Sequence, residues 1–550
     1  MADGTGNTSR RRFLRGAAGL SAGTAGAIMG WPAALSWGTD AGRTVPAGLE
    51  HVTREAFDQL DQSFNGGDGY KYETNDKDSS GLSGKLAWGE AYSLQAYALM
   101  FQTYRDTYYL DKMVDHLDHV LAARDSERGV TDHTGASRPA WRADHHYTVG
   151  YVTLPDTLGR PVFQVRTALA YADATSVTVA PGTAAGTFRL DVHNTQYGRT
   201  TSHDNLSPDP ASPDYAVSRV LNGFRRESPH RVLVTLKDVR ESGSETGDMA
   251  SGEYSMVSEP YIFEAHTGQI ALPLVVFARM VDSYPELGSV PLYRDRAALY
   301  LAAAEEAVGV HDPEWRETEL GEGYYVTLPD APVWHAGIDN PINHFLTVGR
   351  ATVQLAAATG DPVYADRATK MARTLRGSLS VDAGGAYIWP YWWPKGAAYR
   401  GWDVDAPLSE YRPWYPGNQS IEDTSHGQID MNFALEVFRD GRTLHRNGRP
   451  VFTGEDMERF AATFSQNIAA TTDAGAPTVH RFIDGSGDTG LEAYERMSAS
   501  WAGLAPWDQE VLSHSADIFA QRELVNLPST LYCMARLNHA AWAPSGRRRR

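Results

Sequence analysis

The sequence predicts a mainly α protein: an (α/α) toroid of helical hairpins with a small β-rich insertion. Three observations predict it. Apolar residues recur at helical spacing in successive pairs of segments. A short unit returns at the turn within those pairs. One stretch between the first and second pairs switches to strict alternation, the period of a half-buried strand.

The chain has 550 residues, 42% of them hydrophobic, with 27 Tyr, 17 Phe and 14 Trp, enough to bury a large core. Residues 1–40 read as an address rather than as part of that core. Ser9-Arg10-Arg11-Arg12-Phe13-Leu14-Arg15 resembles the twin-arginine export signal. The stretch that follows is broken by Gly19, Gly23, Gly26, Gly30 and Pro32, too interrupted for a membrane span of about 20 apolar residues. The expectation is a secreted or extracytoplasmic bacterial protein, with no membrane span in the mature chain.

Residues 41–160 form the first part of the expected toroid. Leu94, Ala98, Phe101 and Tyr104 keep helical spacing, as do Met113, Leu117, Val120 and Leu121. Between them lies Asp106-Thr-Tyr-Tyr109-Leu-Asp111-Lys112, which returns as Asp361-Pro-Val-Tyr364-Ala-Asp366-Arg367, and in part as Tyr293-Arg-Asp295-Arg296. Residues 161–245 are the expected β-rich insertion: Phe188, Leu190 and Val192 alternate with Arg189, Asp191 and His193, and Arg231 to Leu236 is β-rich. Residues 246–540 carry the remaining hairpins. The second opens at Ile270, Leu274, Phe277 and Val281, and the third at Val348, Thr352 and Leu355, continuing through Ala368, Met371 and Leu375. The fourth runs from Met431 to Phe438 and resumes at Met457 to Phe464, with Thr453 and Asp456 spaced as a capping box. Residues 515–538 read as one further helix, and 541–550 as a basic tail. Paired helices joined by short turns build toroids and solenoids, and few pairs favour the closed form.

Composition excludes several function classes. Sixty-eight acidic residues against 50 basic give a net charge of −18, the wrong sign for a general nucleic-acid binder. Cys533 is the sole cysteine, so neither an internal disulfide nor a multi-cysteine metal site is available, and its apolar helical setting points to a buried thiol. No phosphate-binding glycine loop marks a cofactor. Asp144-His145-His146 is a weak seed for a metal site, and no metal is expected.

The chemistry-bearing residues cluster at the starts of first helices: Trp88-Gly-Glu90, Glu264-Ala-His266, Asn340 to Asn343-His344, and Glu422-Asp423 through His426 to Asp430. In a toroid such starts gather at one end of the ring, where helix N-termini present unpaired N–H groups. A loop rich in Tyr387, Trp389, Tyr391, Trp392, Trp393, Trp402, Trp414 and Tyr415, with Lys395, Arg400 and Arg412, offers flat faces for sugar stacking. The same aromatics would equally pin the loop by packing on one another.

The run Leu86 to Gln95, the His266-Thr-Gly segment, Tyr387-Ile-Trp-Pro-Tyr391 and Glu422-Asp-Thr-Ser-His-Gly427 resemble the carbohydrate-active (α/α)-toroid superfamily, in particular uronate polysaccharide lyases and their relatives. The resemblance implies a polysaccharide or oligosaccharide substrate cleaved by β-elimination. Asn343-His344 matches an Asn-His pair of such lyases, with Asn343 neutralising the uronate carboxylate, His344 or His426 as base, and Tyr391 or Tyr415 as acid or base. Trp88, Glu90, His266, Trp389, Trp392, Arg412, Glu422 and Asp423 are the expected substrate contacts. A glycoside hydrolase is the alternative, drawing on Glu90, Glu264, Glu422, Asp423 and Asp430. A uronate epimerase and a non-catalytic glycan-binding protein are the others, and helix capping is the alternative role for Glu422 and Asp423.

Overall fold

The computed structural model describes residues 48–224, 233–241, 247–444 and 449–542. The expected signal and the arginine tail fall outside these, apart from the tail's first two residues. Eleven helices carry the fold: α1 Arg54–Ser63, α2 Ala91–Tyr104, α3 Tyr108–Ala122, α4 Glu264–Ser283, α5 Pro291–Gly309 and α6 Ile342–Thr359. They continue as α7 Pro362–Ser378, α8 Thr424–Arg439, α9 Gly454–Ala462, α10 Glu510–Gln521 and α11 Pro528–Trp542.

Two kinds of helix alternate, and the sequence dictates which is which. α4 buries 16 of its 20 residues, as an apolar helix surrounded by others must. α7 buries only 6 of 17, all on one stripe. The all-round buried helices contact one another in a cycle: α2 meets α4, α4 meets α6, α6 meets α8, α8 meets the 3-10 segment Ser498–Leu504, that segment meets α11, and α11 returns to α2. Each has an amphipathic partner outside it: α3, α5, α7, α9, α10 and, behind α11, α1. This cyclic neighbour order is what a toroid of hairpins requires. The last inner helix therefore pairs with the first helix of the described chain. The expected single helix over 515–538 is two, α10 and α11, because Pro528 lacks the N–H needed to continue one through it.

The recurring Tyr unit has a structural role. Tyr109 of α3 donates its hydroxyl to Asp58 of α1 at 2.7 Å, Tyr293 of α5 to Asp111 of α3 at 2.6 Å, and Tyr364 of α7 to Glu305 of α5 at 3.4 Å. The repeat thus ties α3, α5 and α7 each to the outer helix before it. The Thr453–Asp456 capping box starts α9 as its spacing predicts.

Between α3 and α4 lie eight strands: β1 Gly150–Pro155, β2 Pro161–Thr167, β3 Thr175–Pro181, β4 Phe188–Asn194, β5 Arg199–Leu206, β6 Val234–Asp238, β7 Gly252–Ser255 and β8 Val257–Ser258. They form two antiparallel sheets, ordered β6-β2-β1-β8 and β5-β4-β3-β7, with one shared core that includes Phe163, Val165, Val177, Leu190 and Val192. The strands extend beyond residues 161–245 at both ends. β1 closes on Pro155 and shows little alternation, while β7 and β8 are too short to show a period, so sequence patterning passes over them. Arg166 on β2 holds Glu410 of the aromatic loop at 2.6 Å, docking the insertion against the ring.

Candidate active site

The close approach of α4 and α6 sets the site. A Cβ on Gly268 would fall 2.2 Å from the backbone N of Val348, so only glycine lets the helices touch there. Thr347 seals the contact by donating to the Ala265 carbonyl at 3.0 Å. His266 and the Asn343-His344 pair, one on each helix, are thereby brought side by side.

The third wall comes from the start of α8. Segment 389–391 runs antiparallel to 420–422: Glu422 N–H donates to Trp389 O at 3.0 Å, and Tyr391 N–H to Ser420 O at 2.9 Å. The Tyr391 carbonyl in turn accepts the Ile342 N–H, an otherwise orphaned donor at the start of α6. Asp423 is the N-cap of α8, its Oδ1 accepting the backbone N–H of Ser425 and His426. Its Oδ2 accepts His426 Nδ1–H at 2.6 Å.

Behind this rim lies a fully buried acidic pair. Glu422 Oε2 accepts from Asn343 Nδ2 at 2.7 Å, and Oε1 from the Asp423 N–H at 2.9 Å. Asp430 accepts Trp389 Nε1–H at 2.8 Å. Burial pushes Glu422 and Asp430 well above the carboxylate range, helped at Glu422 by the charge of Asp430 and at Asp430 by that of Asp423, so the pair retains a proton. Asp423 goes the other way. Although burial raises it, hydrogen bonds from His426 and Ser425 and the imidazolium charge bring it down to about 2. His426 is lifted to about 9 against the cost of burial by its bond to Asp423 and that carboxylate's charge. His344 is driven well below its ordinary value by burial and by the charges of His426, His335 and His266. One imidazole of the site is therefore cationic and another neutral at neutral pH. Tyr391 joins them, its ring centroid 6.4 Å from His344 and 6.1 Å from His426.

The expected residues divide accordingly. His344, Tyr391, His426 and Asp423 form the partly open rim, with Asn343 and Glu422 buried behind it. Trp88 and His266 extend it, Trp88 Nε1–H donating to His266 Nε2 at 2.9 Å. Asn343 is fully buried against Glu422, so its amide does not face a substrate carboxylate.

Glu90 does not belong to the site. It lies on the other side of its helix start, where Oε2 accepts the Tyr70 N–H at 2.6 Å and Oε1 meets His116 Nδ1 at 2.5 Å. Glu264 is also elsewhere, buried and raised to about 8 by burial and by Glu314. Trp389 is no sugar platform: it is fully buried between Phe460 and Trp501. Trp392 is 3% exposed and packs on Trp334 and Tyr391. Tyr415 contacts Trp402, Trp334 and Arg412 rather than the histidines. Most of the aromatic loop is pinned by its own packing, since large apolar rings gain more from mutual burial than from exposure.

Sequence reasoning passed over Asn75, Tyr147 and His335. Asn75 sits 3.0 Å from His266 Nδ1, the Tyr147 ring lies 4.8 Å from the His266 ring, and His335 bonds Asn340 at 3.2 Å. None lies in a motif, so only spatial proximity reveals them.

Glu422, Asp423 and His426 are the single group of three potential ligands whose atoms approach within 4.8 Å among the described residues. Both carboxylates and His426 Nδ1 are engaged in the hydrogen bonds above. Asp144 instead accepts the Lys77 N–H at 2.8 Å, and His146 stacks on Tyr171. Cys533 is buried and its thiol pushed up to about 12 by burial. Among the described residues no helix is long and apolar enough to cross a membrane.

No protein-family model matches the sequence, and no curated protein matches it. Two solved structures are similar in chain path: inactive variants of an alpha-1,6-mannanase, GH76A of Salegentibacter sp. HEL1_6, in complex with alpha-1,6-mannotetrose and with alpha-1,6-mannotriose. Each likeness covers 51% of this chain and 76% of the other, at 14% identity and a TM-score of 0.30. Likeness at that level does not enter the assignment of chemistry.

Proposed function

We propose that this chain is an exported carbohydrate-active enzyme that cleaves a glycosidic bond by acid–base catalysis, with hydrolysis as the reaction. The observation that carries this reading is the opposite displacement of two consecutive carboxyls: Glu422 is pushed well up and Asp423 down to about 2. Glycoside hydrolysis needs one carboxyl that keeps its proton to give to the departing oxygen, and one that stays ionised to activate water or attack the anomeric carbon. Glu422 fits the first role and Asp423 the second. His426 keeps its charge across neutral pH and fixes the Asp423 carboxylate. In the free protein Asn343 covers Glu422, so proton transfer follows the opening of that contact by substrate.

A second reading, β-elimination on a uronate, is favoured by a different observation: the side chains at the rim are His344, Tyr391 and His426. In that route the His426 imidazolium, rather than Asn343, neutralises the uronate carboxylate, and neutral His344 or Tyr391 removes the C5 proton.

The test is incubation with a panel of neutral and acidic glycans, following reducing ends and ultraviolet absorbance together. New reducing ends without absorbance are expected. Absorbance from an unsaturated uronate would transfer the assignment to elimination, and no product from any glycan would remove the enzyme reading.

A further inference from the structure

Between the β insertion and the aromatic loop lies a cavity of about 390 Å³, walled by Leu169, Tyr197, Trp334, Arg412, Tyr415 and Asn418. Arg412 stands out chemically. It is 4% exposed, and its guanidinium carbon lies 4.7 Å from the Trp334 ring centroid and 4.4 Å from that of Tyr415. Among the described residues no carboxylate pairs with it, and its Nε has no hydrogen-bond partner. Other part-buried arginines do find acids: Arg166 holds Glu410, Arg142 holds Asp76, and Arg350 holds Glu436.

An arginine cannot shed its proton to escape burial, and an unpaired buried charge is costly. Burial brings Arg412 down only to about 10, so it stays cationic at any physiological pH. Stacking on two rings offsets part of the cost and leaves the planar N–H donors unsatisfied. In a chain of net charge −18, this buried cation, kept free of acids among the described residues, lines an open cavity. Such a fork suits the oxygens of a carboxylate or sulfate.

A series of ring contacts joins one wall of the cavity to the catalytic rim. Trp334 lies 6.0 Å from Trp392, Trp392 lies 5.5 Å from Tyr391, and Tyr391 lies 6.1 Å from His426. Trp392 is itself buried, so these contacts are a packed link inside the protein between the Arg412 cavity and the His426 rim. We infer that the Arg412 cavity is a subsite for an anionic substituent, carboxylate or sulfate, carried on a saccharide. This inference rests on the glycan-cleaving reading for the identity of the ligand, and the binding measurement below separates the two.

The experiment is calorimetric titration of the full chain with four probes: a glucuronate-containing oligosaccharide, its carboxyl-reduced neutral counterpart, a sulfated oligosaccharide, and inorganic sulfate. Arg412→Gln and Arg412→Lys are measured in parallel. The expected result is at least tenfold tighter binding of one acidic oligosaccharide over the neutral one. That preference should disappear in Arg412→Gln, be partly kept in Arg412→Lys, and weaken with added salt. Which acidic probe wins identifies the substituent. Equal affinity for acidic and neutral saccharides in the wild type overturns the inference, as does a preference that survives in Arg412→Gln, or inorganic sulfate binding as tightly as the oligosaccharide. Should Arg412→Gln fail to fold, the wild-type comparison and its salt dependence decide alone. Discrimination in binding without cleavage of any probe would keep the subsite and remove the enzyme reading; cleavage without discrimination would do the reverse.

Discussion

Asp423 Oδ2 and His426 Nδ1 lie 2.6 Å apart across the first turn of α8, so one carboxylate both caps the helix and holds the imidazole protonated. Two consequences can be measured on this pair.

The first is spectroscopic. His426 titrates near 9 because of Asp423, not because of solvent, since burial alone would lower it. In Asp423→Asn the charge is lost while an asparagine still caps the helix well. Histidine NMR titration is expected to show the His426 value falling to or below the ordinary 6.5. An unchanged titration would break the link between the two residues.

The second is thermodynamic. His426 is raised from 6.5 to about 9, so its contribution is complete below 6.5 and is lost as pH rises through 9. Asp423 is lowered from 3.8 to about 2, so its contribution is complete above 3.8 and is lost as pH falls through 2. The gap in Tm between wild type and Asp423→Asn should therefore be widest between pH 3.8 and 6.5. It should shrink as pH rises from 6.5 to 9, above which the His426 contribution is gone. A gap constant with pH would show that the pair contributes through packing alone.

Glu422→Gln discriminates between reaction classes. If Glu422 is the proton donor, turnover should fall by about 10²-fold or more, the scale of a lost general acid, with the Tm largely kept because the replaced group is itself held protonated. Under elimination the same variant would retain activity, and removal of the base, by Tyr391→Phe or His344→Gln, would abolish it. Kinetics of the three variants on one substrate settle the matter.

Glu90→Ala tests the removal of that residue from the site. It strips His116 of its buried partner and should cost on the order of 3 kcal/mol of stability, the scale for breaking a buried pair. The pH profile of turnover should keep its shape, and a displaced arm of that profile would return Glu90 to the catalytic set.

Trp389→Phe leaves Asp430 without the indole donor, an orphaned buried acceptor worth about 1–3 kcal/mol. Denaturant melts should register that loss, while KM for saccharide stays near wild type. A large rise in KM instead would mean that Trp389 touches substrate after all.

The sequence by itself determined the helical hairpins, their turns, the capping box of α9 and the alternation of β4, because those depend on contacts a few residues apart, which periodicity records. It also determined that His266, Asn343-His344 and Asp423 to His426 sit at helix starts. Tertiary structure alone decided which of these share a wall. Glu90 and Trp88 are two residues apart, yet they point to different sides of one helix start, and no local pattern tells which side meets α4 and which meets α3. The aromatic loop is similar: its composition fits a sugar platform and a packed plug equally, and only the neighbours supplied by α9, the 3-10 segment and the loop of Trp334, His335 and Ile338 ahead of α6 bury Trp389 and Trp392. Arg412 makes the same point from charge. Its sequence neighbourhood is that of an ordinary surface arginine, and that no acid among the described residues pairs with it is a property of chain segments more than 200 residues apart meeting at one cavity.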